Sequence, residues 1–375
     1  LTKEQEIGYP DLPMKTALVT DWLNQYKSGG EKTFEALYRL FPSPIYTLQA
    51  DPKAVQQAAY RNAAIHTSFI QNLPFSRRLY KHYFPLFPLA IEQFDLSSYD
   101  LILSTSHCAA KGVLTHHEQR HLCYCYTPVR YAWDLYHEYL LTLSLPTRLA
   151  ARYFLHRFRK WDLLSAPRVD AYAVISHYIA KRLQKIYGRP STVIYPPVDI
   201  DHYELSEKKE SFYLTASRLV PYKKIELIVE AFSHMPNRRL VVIGDGPQMA
   251  QVKEKARKNI EVLGFQSDQV MKEMMQKARG FVFAAIEDFG IVPIEAQSCG
   301  TPVIAFGKGA VRETLIEGET GLFFGEQTVS SICQAVERFE QRQWDPKACR
   351  AQAERFSLPR FQTEYRNWVR EQTEA

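Results

Sequence analysis

Short apolar runs alternating with helical patterns along the whole chain constrain the fold more than any other feature. In the first half the runs cover 16–20, 45–48, 101–104, 122–126, 171–175 and 192–195. The stretches between them carry apolar residues at helical spacing, as in Phe34, Leu37, Leu40 and Phe41. Continuous apolar strands separated by helices imply a parallel sheet covered on both faces. Pro196-Pro197 interrupts the pattern. It then restarts, with runs at 212–216, 240–244, 260–263, 281–286, 303–306 and 321–324. At 375 residues the chain is too long for one ordinary core. The expectation is therefore two doubly wound α/β domains, 14–196 and 197–356. Residues 1–13 show no periodicity and read as a flexible extension. At 357–375 a helix start, Ser357-Leu358-Pro359, precedes an apolar stripe of Phe361, Tyr365, Trp368 and Val369. This helix is expected to pack back across the domain junction; the alternative is a terminal helix on its own domain.

No apolar run is long enough to span a bilayer, and no secretory signal is recognisable. Six cysteines without a C-x-x-C read as reduced, apolar residues of a cytoplasmic protein. The net charge of +6 is unevenly spread. Residues 61–190 hold 17 Lys and Arg against 8 Asp and Glu, a balance of +9, which leaves −3 for the rest. Aromatics are interleaved with these cations, as in Phe75, Arg77, Arg78, Tyr80 and Lys81, and again in Arg152, Tyr153, Phe154, Arg157 and Phe158. Such a face suits an anionic membrane surface or a phosphorylated acceptor; a solvated face over a core is the plainer alternative. No nucleic-acid recognition motif is present, and nucleic acid is not expected as a partner.

Open α/β sheets bind ligands at the carboxyl ends of their strands. Six segments place polar groups there. In A-A-I-E-D-F-G-I-V-P-I-E-A-Q-S-C-G-T-P-V-I-A, Glu287 lies in the loop beyond a strand and Glu295 in the following helix, whose first amides can hold an anion. Arg218 and Lys223 follow the first strand of the second domain, a planar guanidinium and a mobile ammonium suited to clamping a diphosphate. Gly244-Asp245-Gly246-Pro247 ends the next strand and allows either close ligand approach or a tight turn. In the first domain, Gly29 and Gly30 open a helix whose amides could meet a phosphate or sugar, and His107 follows a strand. The loop Thr127-Pro128-Val129-Arg130-Tyr131-Ala132-Trp133-Asp134 offers Arg130, Tyr131 and Trp133 for sugar recognition. Its Asp134 is a candidate to receive an acceptor hydroxyl's proton. Asp199-Ile200-Asp201 reads as a turn rather than a metal site, and no G-x-G-x-x-G follows the first strand of either half, against hydride transfer.

Taken together, Arg218 with Lys223, the G-D-G-P turn, Leu263-Gly264 and the two-glutamate run resemble glycosyltransferase family 4. The runs D-W-L…G-G-E-K, S-T-S-H-C-A-A-K-G and C-Y-T-P-V-R-Y-A-W-D-L-Y are similar to its bacterial mannosyltransferase branch of polysaccharide and O-antigen assembly. The resemblance implies a retaining, nucleotide-sugar-dependent enzyme of the GT-B fold, two Rossmann-like domains facing across a cleft. By the same resemblance, 14–196 serves the acceptor and 197–356 the donor. Glu287 is then expected at the donor sugar's hydroxyls, Glu295 at the ribose, and Arg218 and Lys223 at the diphosphate. Leu263, Gly244 and Gly246 belong to the same donor site. The backbone of Phe289, Gly290 and Ile291 approaches phosphate and sugar, while Gly29, Gly30 and His107 close on the donor from the first domain. The implied partners are a nucleotide-diphosphate sugar, with GDP-mannose favoured and UDP-sugars next, and a glycan or lipid-linked acceptor. Neither a cofactor nor a catalytic metal is expected. The alternatives are a nucleotide-sugar epimerase of the same fold and a catalytically silent nucleotide-sugar-binding subunit.

Overall fold

The computed structural model describes residues 14–24 and 29–374, so the extension expected at 1–13 lies outside the described residues. The chain divides into two compact units. The first takes in the described residues up to Ile175, Ile179–Ile194 and those from Gln362 onward; the second holds Ser176–Tyr178 and Tyr195–Phe361.

Seven parallel strands form the first unit's sheet: β1 (Thr16–Leu23), β2 (Ile45–Ala50), β3 (Ile65–Thr67), β4 (Leu101–Ser106), β5 (Arg120–Cys125), β6 (Ala171–Val174) and β7 (Thr192–Val193). Their spatial order is β3-β2-β1-β4-β5-β6-β7. The central strands are buried on both faces, as the unbroken apolar runs require. β3 went unrecognised in the sequence because an edge strand of three residues, Ile-His-Thr, two half-buried and one exposed, carries almost no apolar signal. Another element not legible as a helix is Leu145–Ser165, 21 residues long, of which only Leu155, Phe158, Asp162 and Ser165 are buried. In the C-terminal helix, Leu358–Glu374, Tyr365 is fully buried and rings against Phe41 and Tyr124 of the first unit.

The second unit's sheet has six parallel strands: β8 (Phe212–Ala216), β9 (Arg239–Ile243), β10 (Ile260–Gly264), β11 (Gly280–Phe283), β12 (Val303–Phe306) and β13 (Gly321–Phe324), ordered β10-β9-β8-β11-β12-β13. β11 stops at Phe283. The apolar residues 284–286 that extend its sequence pattern already belong to the loop that carries Glu287. Both sheets are doubly wound with helices on each face, and all six cysteines are unpaired.

Several buried polar groups inside the first sheet have hydrogen-bond partners. His121 of β5 is fully buried, with Nε2 2.8 Å from Ser104 Oγ and Nδ1 3.3 Å from the Arg168 carbonyl. Burial pushes its pKa down to about 4. The folded state thus refuses a proton that the unfolded chain, titrating near 6.5, accepts. Stability contributed by this site is complete above pH ~6.5 and is lost as pH falls toward 4, by about 3 kcal/mol in total. Urea midpoints at pH 7 and pH 4.5 check this: the difference between the two should shrink in His121→Gln.

Candidate active site

The strand order reverses between β1 and β4 in the first unit and between β8 and β11 in the second. Such switch points splay the loops at the strands' carboxyl ends and open a crevice for ligands.

In the second unit the crevice is bordered by the loops leaving β8 and β11. The β8 loop runs through Arg218 to a single 3-10 turn, Pro221–Lys223. Lys224 closes that turn at φ 56°, an uncommon left-handed conformation for a side chain of its size. The turn sets Lys223 Nζ directly on the Glu287 carboxylate; both side chains are 17% exposed. Two residues picked separately from the sequence, one as a phosphate clamp and one as a sugar contact, are therefore ion-paired. Arg218 is exposed at the same strand's exit. Glu287 is held from behind by residues the sequence reading missed. The Ala310 amide donates to the Glu287 carbonyl at 3.0 Å. Gly309 sits at φ 82°, where a Cβ would come within 2.8 Å of that same carbonyl oxygen. The signal was present as a glycine just past β12, but it has no meaning until the loops are juxtaposed.

Gly290, at φ 86°, leads into the helix Ile291–Ser298. The first amides of this helix have no intrahelical partner, and Pro293 contributes none. Phe289 turns its ring away, onto Tyr195 and Phe356, so its backbone alone borders the loop. Glu295, in the helix's second turn, is half-buried and accepts a hydrogen bond from Tyr203. Burial first, and then that carboxylate, raise the Tyr203 phenol well above its usual pKa. The structure therefore gives Glu287 and Glu295 different protein partners.

Gly244 and Gly246 have a steric explanation. A Cβ on Gly244 would lie 1.8 Å from the Ser217 carbonyl oxygen, and one on Gly246 2.5 Å from that of Leu219. The G-D-G-P turn is laced to the β8 loop, with Leu219 N–H donating to Asp245 O at 2.9 Å and Gln248 N–H to Leu219 O at 3.1 Å. These glycines shape the loop that carries Arg218. Leu263, at the end of β10, is half-buried against the core, and its carbonyl accepts from Gln266.

At the first unit's switch point, the residue missed by sequence reasoning is Asp21 of β1. Its fully buried carboxylate accepts the amides of His107 (2.7 Å), Cys108 (2.9 Å), Ala109 (2.6 Å) and Ala110 (2.7 Å). It also lies 3.1 Å from His107 Nδ1. A carboxylate acceptor fixes the proton of this contact on Nδ1 and leaves Nε2 as the outward nitrogen. Trp22 holds the imidazole edge-on at 4.4 Å. Gly30 is anchored through its carbonyl to Tyr126 Oη at 2.8 Å, and the Gly29 carbonyl accepts from Thr33 Oγ1 at 2.9 Å in the helix Gly29–Leu40.

The four acceptor-side candidates do not act as one group. Tyr131 lines a pocket together with His107, its hydroxyl 3.1 Å from Cys108 Sγ. Trp133 donates from Nε1 to the buried Asp162 carboxylate at 2.7 Å, so its ring is fixed in the core network of Asp162 and Lys111 rather than offered to a sugar. Asp134 is taken by the Arg182 guanidinium. It orients that arginine, which also donates to Thr127 Oγ1 at 2.8 Å, and its carboxylate is engaged in that ion pair rather than free as the sequence suggested. Arg130 is half-buried, and its carbonyl accepts the Trp133 and Leu135 amides.

Residues 199–356 match the family described as glycosyl transferases group 1. The chain carries a domain of that family. Its relatives include a GDP-mannose-dependent monoacylated alpha-(1-6)-phosphatidylinositol monomannoside mannosyltransferase of Corynebacterium glutamicum, 29% identical over 216 residues, covering 47% of this chain and 56% of the relative. A GDP-mannose-dependent alpha-(1-6)-phosphatidylinositol monomannoside mannosyltransferase of Mycolicibacterium smegmatis is 26% identical over 226 residues, with the same coverage. The chain spans about half the length of the curated relatives it matches. In fold it is similar to Anabaena Alr3699/HepE, solved with UDP and glucose, at a TM-score of 0.66 and 17% identity over 95% of this chain and 99% of that one. The lipopolysaccharide outer core galactosyltransferase WaaB, apo form, gives 0.66 and 16% over 96% and 99%. The group 1 glycosyltransferase domain thus sits in a chain of the GT-B fold class, as the sequence implied.

Proposed function

We propose that the chain is a retaining glycosyltransferase that moves a hexose from a nucleotide-diphosphate sugar to a glycan or lipid-linked acceptor. The observation that carries this reading is the meeting of Lys223 and Glu287 beside exposed Arg218 at the switch point of the group 1 domain. In the proposed reaction the donor diphosphate binds Arg218, Lys223 and the amides opening the helix at Ile291. Glu287 turns to the sugar hydroxyls, and Glu295 to the ribose. The bond from the anomeric carbon to the phosphate oxygen breaks, its electron pair leaving with the diphosphate. Fixed positive groups around that leaving charge are the largest catalytic contribution of this kind. The acceptor hydroxyl oxygen bonds to the anomeric carbon on the face the phosphate vacates, and its proton passes to the leaving phosphate oxygen. Two cations and a helix N-terminus supply the charge that a metal would otherwise bring, so the reaction is proposed to be metal-independent.

GDP-mannose is the proposed donor, supported by the names of the two mannosyltransferase relatives. A thermal-shift screen tests it: GDP-mannose should raise the unfolding temperature more than UDP-sugars, because selective ligands stabilise the folded state. Adding a purified acceptor should then lengthen a glycan. Interconversion of the sugar without an acceptor would instead support the epimerase, and binding without turnover the silent subunit. Among the described residues no helix is long and apolar enough to cross a membrane. The proposed membrane contact is peripheral, on the cytoplasmic face, through the cations of the first unit. Flotation with anionic liposomes at low salt should carry the protein upward, and no co-migration would remove the contact.

A further inference from the structure

The first unit contains a pocket of about 460 Å³ that the group 1 domain does not contribute to. This is within the range of roughly 300–1,000 Å³ typical of small-molecule sites. Its walls are Phe84, Phe87, Tyr131, Leu143, Phe154 and Leu155. Lys81 and His82, both exposed, bring positive or neutral polarity to it, and among the described residues no carboxylate lines it. His107 also lines it. With Nδ1 occupied by Asp21, the imidazole edge left for the pocket carries Nε2. A polar reacting group could therefore sit at His107 while an apolar chain fills the remaining space.

The surface around this pocket has the same two-part character. Of 17 exposed large hydrophobic side chains among the described residues, 13 fall between Phe75 and Leu164. Leu141, Leu145, Leu149 and Tyr153 on and before the helix Leu145–Ser165 are more than half exposed. Phe75 is 77% exposed and is held at φ 53°, a conformation bulky side chains avoid. Between Asp51 and Glu92, and again between Glu138 and Asp162, the chain has no acidic residue. The exposed cations Arg77, Arg78, Lys81, Arg152, Arg157 and Lys160 fall in these two segments. An apolar cavity opening among exposed apolar side chains and unopposed cations is complementary to a hydrocarbon chain ending in phosphate.

We infer that this pocket takes the hydrocarbon chain of a phosphate-bearing lipid, which is the sugar acceptor. The inference rests on the transferase reading for the word acceptor, but the pocket's occupancy is testable apart from it. The probe is farnesyl phosphate, titrated into the full chain by calorimetry below its aggregation concentration, with farnesol and inorganic phosphate as separate arms. Farnesyl phosphate should bind saturably and at least tenfold more tightly than either arm. Ala151→Trp, which fills the pocket from the helix Leu145–Ser165, should weaken that binding at least tenfold. Phe154→Glu, at a partly exposed position that tolerates a polar side chain, should do the same by placing a carboxylate in the wall. Both variants should keep the wild-type thermal shift with nucleotide sugar. Displacement of farnesyl phosphate by inorganic phosphate would reduce the site to an anion patch and overturn the proposal, as would unchanged affinity in both variants. If farnesyl phosphate behaves as expected but no nucleotide sugar stabilises the wild type, the pocket stands and the transferase reading falls.

Discussion

Lys223→Ala is expected to lower kcat/KM for transfer by about 10²–10³-fold, the usual loss when one preorganised stabiliser of developing negative charge is removed. The expectation follows from where the ammonium sits. It leaves a short, left-handed-capped turn at the exit of β8 and meets Glu287 across the switch point of the second sheet. Without ligand each group neutralises the other. In the proposed reaction an arriving diphosphate competes for the ammonium, and Glu287 is released toward hydroxyl donors. The pair therefore holds two charges ready in a place where neither alone would be well solvated. Glu287→Gln should also cost about 10²-fold, because it removes a charged acceptor of hydroxyl hydrogen bonds. Combining the two should give much less than the product of the single losses, since residues that act as a unit are not additive. Lys223→Arg keeps the charge but not the compact point geometry, so partial activity is expected. Steady-state kinetics on the four variants, with urea unfolding alongside, decides the matter. If Lys223→Ala moves the unfolding midpoint while transfer falls less than threefold, the pair is a structural brace and the clamp assignment fails.

Local chemistry made the ion-paired residues proposed for the donor legible as candidates. A guanidinium and an ammonium just past a strand, and a glutamate just past another, need only the rule that ligands gather at strand carboxyl ends. The period of the apolar runs likewise disclosed both sheets, because buried parallel strands are apolar without interruption. Features defined by partners distant in sequence stayed hidden. Gly244 looked like a ligand-facing turn, whereas its requirement for glycine comes from the Ser217 carbonyl on a neighbouring loop. Trp133 and Asp134 looked available for sugar, yet Asp162 and Arg182 had claimed them. The helix Leu145–Ser165 showed only a mixture of basic and aromatic residues, since so few of its positions face the core that no clean 3.6-residue stripe emerges. Asp21 was the costliest omission. One acidic residue at the end of an apolar strand reads as a surface exit, and nothing nearby in sequence reveals four amides some 86 to 89 positions away.

That carboxylate gives the second large expectation. Asp21→Asn is nearly isosteric, so any effect comes from hydrogen-bond polarity rather than packing. Each aspartate oxygen now accepts two backbone amides, from His107 and Cys108 on one side and Ala109 and Ala110 on the other. An asparagine amide offers one acceptor oxygen, and its NH₂ faces the remaining pair of N–H groups donor to donor. Two buried amides lose their partner at about 1–3 kcal/mol each, and the charge that strengthened the other two bonds is gone. The first unit should lose about 3–5 kcal/mol of stability, most of it from the loop His107–Ala110. Hydrogen exchange should show those four amides, protected in the wild type, becoming labile ahead of the strands β4 and β5 that flank the loop. His107 loses the acceptor that fixes its tautomer, so transfer should fall even at temperatures where the variant remains folded, and Asp21→Glu should not restore it because the longer side chain displaces the loop. A variant within about 1 kcal/mol of the wild type, with the loop amides still protected, would show that the loop His107–Ala110 is held by packing alone.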